Sequence, residues 1–166
     1  TIPLSQEPVG MGNYTWIDSN KNGIQDMGEA PLSGVRVTLY YRNGKKVKNL
    51  ANGNATAVTD ANGYYFIDNL AAGSYYAKFT LPKGYVFTTQ SSKGSTSAND
   101  SNPNVKSGRT RLFTIGTSSN GDTVADITPS TKALWVNPTI DAGVIPDISV
   151  SVGNFVWRDN NGDGLQ

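Results

Sequence analysis

The sequence predicts an all-β protein folded as a β-sandwich. In GVRVTLYY (residues 34–41), apolar Val35, Val37 and Leu39 alternate with polar side chains, and this period of two is typical of a half-buried strand. Gly- and Asn-rich turns separate several short segments of this kind, a spacing that favours a sandwich over a solenoid. No window combines a helical period with helix caps, so we expect no helix.

The individual strands follow from this alternation and from the turn residues between them. NG at residues 43–44 predicts a hairpin turn after the first clear strand. Residues 60–63 carry turn chemistry, and Pro82 and Gly84 close a later strand. A strand NYTWI precedes all of these. The predicted strands therefore lie at residues 13–17, 34–41, 59–70, 73–85, 111–115 and 139–145.

Composition excludes several classes of function. The chain has 166 residues, 37% of them hydrophobic, which suffices for one β domain and part of another. With 14 basic and 13 acidic residues and no run of like charge beyond Lys45-Lys46, we expect no binding to nucleic acid or other polyanions. Cys and His are absent, which removes the usual nucleophiles, general bases and zinc ligands. We therefore expect no enzyme, and without a long apolar run we expect no direct membrane insertion.

A repeated motif indicates a tandem array. VGMGNYTWIDSNKNGIQ (residues 9–25) and VSVGNFVWRDNNGDGLQ (residues 150–166) share Gly, Trp, Asp and Asn at matching positions. We expect residues 1–8 to be a leader or linker from a preceding segment and residues 9–146 to form one repeat. Residues 147–166 would then hold a linker, the first strand and a truncated loop of the next repeat.

Residues 18–29, DSNKNGIQDMGE, have the ligand spacing of a calcium-binding loop. Calcium takes about six to eight oxygen ligands, and a twelve-residue loop supplies them from positions 1, 3, 5, 7, 9 and 12. Gly23 lies at position 6, where such a loop turns sharply. We therefore predict Ca²⁺ as a cofactor, bound by Asp18, Asn20, Asn22, the carbonyl of Ile24, Asp26 and Glu29.

The context of this loop indicates a structural site and not a sensor. No helix is expected on either side, so the loop is EF-hand-like in ligand spacing only, and Ile24 is expected to anchor it to the core. The alternative is a set of Asx turns, which Asp, Asn and Gly favour without any metal. The second copy of the motif begins with the same pattern, at Asp159, Asn161, Asp163 and Leu165.

Two long polar stretches interrupt the strand pattern. Residues 91–109 are almost wholly small and polar, and a structureless loop of this length is usually functional or ordered by something other than a core. Residues 117–131 are rich in Ser, Thr, Asn and Gly, and we expect an insertion between strands there.

In their order along the chain, GNYTWIDSNKNGIQDMGE, PLSGVRVTLY, TDANGYYFIDNLAAGSYYAKFTLPKGY, SANDSN, GRTRLFTI and TIDAGVI resemble the B-type repeats of SD-repeat adhesins, in the collagen-adhesin B superfamily of Gram-positive surfaces. The resemblance implies an immunoglobulin-like or prealbumin-like sandwich that acts as a calcium-stiffened spacer at the extracellular cell surface or cell wall. Its partners would be neighbouring repeats, with self-assembly into a filament as a related case. It also implies further calcium ligands, for which the candidates are Asp100, Asn102, Asn104 and Asp141.

A binding module is the alternative function. Three adjacent tyrosine pairs, or the loop at residues 91–109, could recognise a glycan or a protein. In a strand, however, one member of each pair should point to the core and the other outward, so ordinary packing is the simpler interpretation. The pairs are Tyr40–Tyr41, Tyr64–Tyr65 and Tyr75–Tyr76.

Overall fold

The structure is a computed structural model that describes residues 8–116 and 135–147, together with residues 160 and 162. These residues form ten strands and no helix, which confirms the all-β prediction. They therefore include no helix long and apolar enough to cross a membrane. The predicted insertion at 117–131 lies outside the described residues. The strands are β1 Val9–Met11, β2 Thr15–Ile17, β3 Arg36–Tyr40, β4 Thr56–Val58, β5 Ile67–Leu70, β6 Gly73–Thr80, β7 Tyr85–Phe87, β8 Phe113–Ile115, β9 Trp135–Asn137 and β10 Ala142–Pro146.

One layer is a four-stranded antiparallel sheet in the order β4-β3-β6-β8. Its central pair runs in register from Arg36 opposite Thr80 to Tyr40 opposite Tyr76. The alternation predicted from sequence is observed, because Leu39 is fully buried whereas Arg36 is exposed. The Asn43-Gly44 turn is also confirmed, with Gly44 at a φ of 85°, which glycine adopts without steric cost.

The other layer consists of two three-stranded sheets, β5-β1-β9 and β2-β10-β7. β1 pairs in parallel with β9, and β2 pairs in parallel with β10. Between these pairs the amide of Gly12 donates to the carbonyl of Asn137 at 3.0 Å, and the amide of Ile140 donates to the carbonyl of Gly12 at 3.0 Å. The two sheets are therefore joined where β1 leads into β2 and β9 leads into β10, and residues 9–17 run beside residues 135–146 in the same direction.

Apolar side chains from both layers form one core between them, as expected of a β-sandwich. Phe79 of β6 meets the ring of Tyr65 edge-on at 5.8 Å between ring centres. Tyr65 is 4% exposed and its neighbour Tyr64 is 52% exposed, so this pair alternates as predicted. The largest fully buried core side chains are Trp16, Phe79, Met11, Leu39, Leu70 and Ile115.

Candidate metal centre

The loop at residues 18–29 begins where β2 ends, and a buried carboxylate organises it. Asp18 is 0% exposed, and its amide donates to the carbonyl of Val144 in β10 at 2.7 Å. Its Oδ2 accepts hydrogen bonds from the Gly23 amide at 2.8 Å and from the Thr88 hydroxyl at 2.5 Å. Its Oδ1 accepts from the Asn22 amide at 3.2 Å. The loop therefore closes around Asp18 and is fixed to the residue that follows β7.

The sharp turn of the loop requires glycine. Gly23 has a φ of 75°, and a Cβ added there would lie 2.7 Å from the Cβ of Ser92 and 3.0 Å from the carbonyl oxygen of Thr89. A side chain would therefore be strained by the backbone conformation and would also collide with the neighbouring chain. This close approach brings residues 89–92 against the loop.

Three of the predicted ligand side chains meet at one point. The amide nitrogens of Asn20 and Asn22 both donate to Oδ2 of Asp26, each at 2.7 Å. Their Oδ1 atoms accept from the backbone amides of Asn22 and Ile24, at 3.2 and 2.8 Å, which are Asx turns of the kind that Asn also forms without a metal. The side chains at positions 3, 5 and 9 of the loop thus converge, as a cation with oxygen ligands requires.

Glu29, at position 12, closes the loop. Its Oε1 accepts from the amide of Ser19 and its Oε2 accepts from the amide of Asp26, both at 2.9 Å. Both carboxylate oxygens therefore face the interior of the loop, and each retains a lone pair beyond the one it uses.

Ile24 holds the loop in a different way from the one predicted. Its side chain is only partly buried and does not belong to the core, so the expectation of a core anchor is wrong. Instead, its backbone forms an antiparallel bridge with Asp100, and the next amide, that of Gln25, donates to the carbonyl of Asn99 at 2.8 Å. The Ser92 hydroxyl also donates to the Asn22 carbonyl at 2.6 Å. The polar stretch at 91–109 is therefore paired to the candidate calcium loop.

Asp141 and Asn102 join this polar stretch to the start of β10. The backbone amide of Asn102 donates to the Asp141 carbonyl at 2.9 Å. In return, the backbone amide of Asp141 donates to the side-chain Oδ1 of Asn102 at 2.7 Å. Asp141 is 2% exposed, and its Oδ1 accepts from the amides of Asn13 and Tyr14 at 3.2 and 2.9 Å. Burial raises the pKa of Asp141 well above its usual range; the two amides oppose this rise, and the charge of Asp100 adds to it.

Asp100 has a buried oxygen that lacks a hydrogen-bond donor. Its Oδ1 has no hydrogen-bond partner among the described residues, while its Oδ2 is 3.5 Å from the amide nitrogen of Asn102. Burial raises the pKa of this carboxyl group. Together with Asn102 and Gln90 it lines a pocket. Because an unpaired buried carboxylate oxygen is costly, a cation in this pocket would supply the missing partner.

Asn104 is not part of this group. Its side-chain oxygen accepts from the backbone amides of Lys106 and Ser107, at 3.0 and 3.2 Å. Its backbone amide donates to the carbonyl of Arg109 at 2.8 Å. The residue thus organises a turn at 104–109, and within the described part of the chain it is not hydrogen-bonded to Asp100, Asn102 or Asp141.

Neither candidate site is a cage of carboxylates. Over residues 8–116 and 135–147, no three acidic side chains come together as a metal-binding group. The loop site would combine amide and carbonyl oxygens with three carboxylates, and the second site would combine an amide oxygen with two, and such all-oxygen sets suit calcium better than zinc. The ligands predicted for the second copy of the loop lie outside the described residues; they are Asp159, Asn161, Asp163 and Leu165.

Comparison with known proteins identifies the family. The family model of the SdrD B-like domain matches residues 9–128. The chain belongs to this family. The SdrD B-like domain is 38% identical over 165 residues to serine-aspartate repeat-containing protein D of Staphylococcus aureus (strain Newman), covering 99% of this chain and 10% of that protein. It is 36% identical over 156 residues to serine-aspartate repeat-containing protein F of Staphylococcus epidermidis (strain ATCC 12228 / FDA PCI 1200), covering 94% of this chain and 8% of that protein. The chain thus spans about a tenth of the length of these relatives.

Solved structures show more distant similarity to this SdrD B-like domain. The BcpA*(D312A) major pilin subunit of Bacillus cereus matches with a TM-score of 0.45 and 20% identity, covering 82% of this chain and 28% of that chain. The GBS52 minor pilin of Streptococcus agalactiae matches with a TM-score of 0.46 and 16% identity, covering 92% of this chain and 49% of that chain. These scores are too low to support a functional conclusion.

Sequence reasoning missed the residues of this SdrD B-like domain that fix the calcium loop from outside. Thr88 and Ser92 each bond to the loop from 70 residues away along the chain. Gln90 donates to the carbonyl of Asn102 at 2.8 Å and so links the first polar residues after β7 to the second candidate site. The only signal in the sequence was the unusual length of the polar stretch at 91–109, which predicted order without showing its partners.

Proposed function

We propose that this SdrD B-like domain is a calcium-stabilised spacer repeat of a bacterial cell-surface adhesin or surface filament, with a structural and not a catalytic role. Family membership supports a repeat within a larger surface protein, and it supports the extracellular, cell-wall-associated location predicted from the sequence. The repeated motif at residues 9–25 and 150–166 supports a tandem arrangement in which neighbouring repeats are the partners.

The observation that carries the calcium proposal is the convergence of Asn20, Asn22 and Asp26 beside the buried carboxylate of Asp18. Bound calcium would neutralise the clustered negative charge and replace hydrogen bonds among these side chains by metal–oxygen bonds. Asp18, Asn20, Asn22, Asp26, Glu29 and the carbonyl of Ile24 would hold the ion.

Calcium at this loop would strengthen contacts between separate parts of the fold. The loop follows β2, bonds to Thr88 after β7, and is paired with residues 99–100 of the polar stretch. An ion that fixes the loop would therefore also order that stretch. We propose a second ion at Asp100, Asn102 and Asp141, where it would satisfy the unpaired Oδ1 of Asp100. Asn104 is left out of this site.

Stiffening of the array would follow from order at both loops, since a folded domain with fixed loops transmits orientation to its neighbours better than one with loose loops. Residues 146–149 would form the joint between repeats, and a joint this short leaves little freedom.

The test is small-angle scattering and calorimetric melting of a protein with two complete repeats, in calcium and in excess EDTA. We expect calcium to raise Tm and to lengthen and stiffen the pair, with magnesium giving a smaller effect because it requires stricter octahedral geometry. A variant with Asp26→Ala in both repeats is the matched control and should lose the part of the calcium response that this loop supplies, keeping only the part from the second site. Identical melting and scattering in calcium and EDTA would disprove the proposal.

A further inference from the structure

The outer face of the four-stranded sheet carries a group of cations around a tyrosine pair. On β3 and β6, outward residues alternate with buried ones, so Arg36 and Tyr40 share a face with Tyr76 and Lys78. The backbone of Lys46 forms an antiparallel β-bridge with Tyr40 on the outer side of β3. The backbone of Arg109 forms one with Lys78 on the outer side of β6. We call this surface the cationic sheet face, formed by Arg36, Tyr40, Lys46, Tyr76, Lys78 and Arg109.

Charge is strongly segregated onto this sheet. Residues 34–58, 73–80 and 108–115 contain its four strands and the β3–β4 connection, and they hold none of the 13 acidic residues of the chain. The net charge of +1 hides this segregation, and the expectation of no polyanion binding came from that balance and from the absence of a long run of like charge. Eight of the 14 basic residues lie in these segments: Arg36, Arg42, Lys45, Lys46, Lys48, Lys78, Arg109 and Arg111.

The cations of this face repel one another, and no acidic partner for them lies among the described residues. Lys78 and Arg109 lie directly opposite each other on adjacent segments, an arrangement of like charges that destabilises a sheet. Within the part of the chain that the structure describes, no carboxylate is hydrogen-bonded or ion-paired to Arg36, Lys46, Lys78 or Arg109. An anion bound between them would remove this repulsion, so the face is electrostatically complementary to a negatively charged ligand.

The tyrosines form an ordered row with the cations at its ends. The rings of Tyr40 and Tyr76 stack at 5.3 Å between centres with 12° between their planes, and the guanidinium of Arg109 lies over Tyr76, 5.9 Å from its ring centre. Lys46 lies beside Tyr40 on the opposite side, so the order across the face is Lys46, Tyr40, Tyr76, Arg109.

The rows of this face repeat at a regular distance. Arg36, Lys78 and Tyr76 belong to successive outward rows, and a two-residue step along a strand is about 7 Å. A linear polymer with regularly spaced negative groups matches such a ladder better than a single small anion does.

We propose that the cationic sheet face binds a sulfated polysaccharide, with sulfate groups paired to Arg36, Lys46, Lys78 and Arg109 and sugar hydroxyls bonded at the edges of Tyr40 and Tyr76. Nucleic acid is a weaker match, because sequence-tolerant binding of single strands needs free aromatic faces for base stacking. The faces of Tyr76 are taken by Tyr40 from β3 and by Arg109 from the segment on the other side of β6. This site does not depend on calcium or on the spacer function.

Heparin is the probe, neutral dextran and single-stranded DNA are the comparison ligands, and titration calorimetry in a calcium-containing buffer measures the binding. We expect heparin to bind with an affinity that falls as salt rises, and dextran not to bind. Lys78→Ala/Arg109→Ala should weaken heparin binding about tenfold while leaving Tm unchanged or higher, because both side chains point outward and repel each other.

The matched control removes two exposed cations outside this face, as Lys83→Ala/Lys93→Ala, and should change the affinity less than about twofold. A second pair, Arg36→Ala/Lys46→Ala, gives an independent reading if the first variant folds poorly. The proposal is overturned if heparin does not bind, if the control pair loses as much affinity as the sheet-face pairs, or if DNA binds as tightly as heparin through the same residues.

Discussion

Asp26→Ala separates the stability of the loop itself from the stability that calcium adds. Asp26 is partly exposed and accepts hydrogen bonds from two exposed amide side chains, so without calcium its removal should lower the free energy of unfolding by less than about 1 kcal/mol. With calcium at about ten times its dissociation constant, binding at this loop alone adds roughly 1.4 kcal/mol to the intact protein. For a chain of this size that corresponds to a rise in Tm of roughly 3–6 °C.

Calorimetric melting in calcium and in EDTA measures both quantities. We expect the intact protein to show the full calcium-dependent rise and Asp26→Ala to lose the share that this loop supplies, because a charged ligand is lost. A rise from the second site at Asp100 would remain. Asp60→Ala is the matched control, since Asp60 also accepts two amides in an exposed turn, those of Asn62 and Tyr64, but lies outside the ligand pattern. If Asp26→Ala keeps the full rise, or if Asp60→Ala loses it, the assignment of calcium to this loop is refuted.

Three further predictions concern buried groups. Asp18→Ala leaves two buried donors, on Gly23 and Thr88, without an acceptor and should cost about 3 kcal/mol in urea unfolding even in EDTA; an unchanged midpoint would contradict this. Asp100→Asn removes an unpaired buried charge, so stability in EDTA should hold or rise while equilibrium dialysis shows one fewer calcium bound; an unchanged number of ions excludes the second site. Burial raises the pKa of Tyr75 to about 12, so its contribution to stability is complete below pH 10 and is lost between pH 10 and about 12, and Tyr75→Phe should lose less stability over that range.

The parts of the fold with strong local alternation could be predicted from the sequence. β3 and β6 combine a clear period of two with recognisable turns, and both were found. β1 and β9 were not, because each has three residues and their parallel pairing joins positions 126 residues apart, as in Val9 opposite Trp135. A local pattern carries no information about such a pairing, which depends on the closure of the whole sandwich.

The candidate calcium loop was predictable because its ligand positions lie within twelve consecutive residues. Asn104 shows the limit of the same reasoning, since its spacing from Asp100 and Asn102 suggested a ligand. In the structure, the tendency of Asn to bond to amides two or three residues later takes its oxygen for a local turn. The oxygens of Asn20 and Asn22 in the candidate loop also accept from amides two residues later, so what distinguishes that loop is the convergence of its side chains on one carboxylate.

The parallel pairing of residues 9–17 with residues 135–146 determines how the domain responds to mechanical load. A pull on Val9 in one direction and on Pro146 in the other acts along two adjacent strands that point the same way. Such a load shears the pair, so the hydrogen bonds between β1 and β9 and between β2 and β10 must break together and cannot open one after another from an end. A domain tensioned along this axis should therefore resist extension far better than one pulled across its strands.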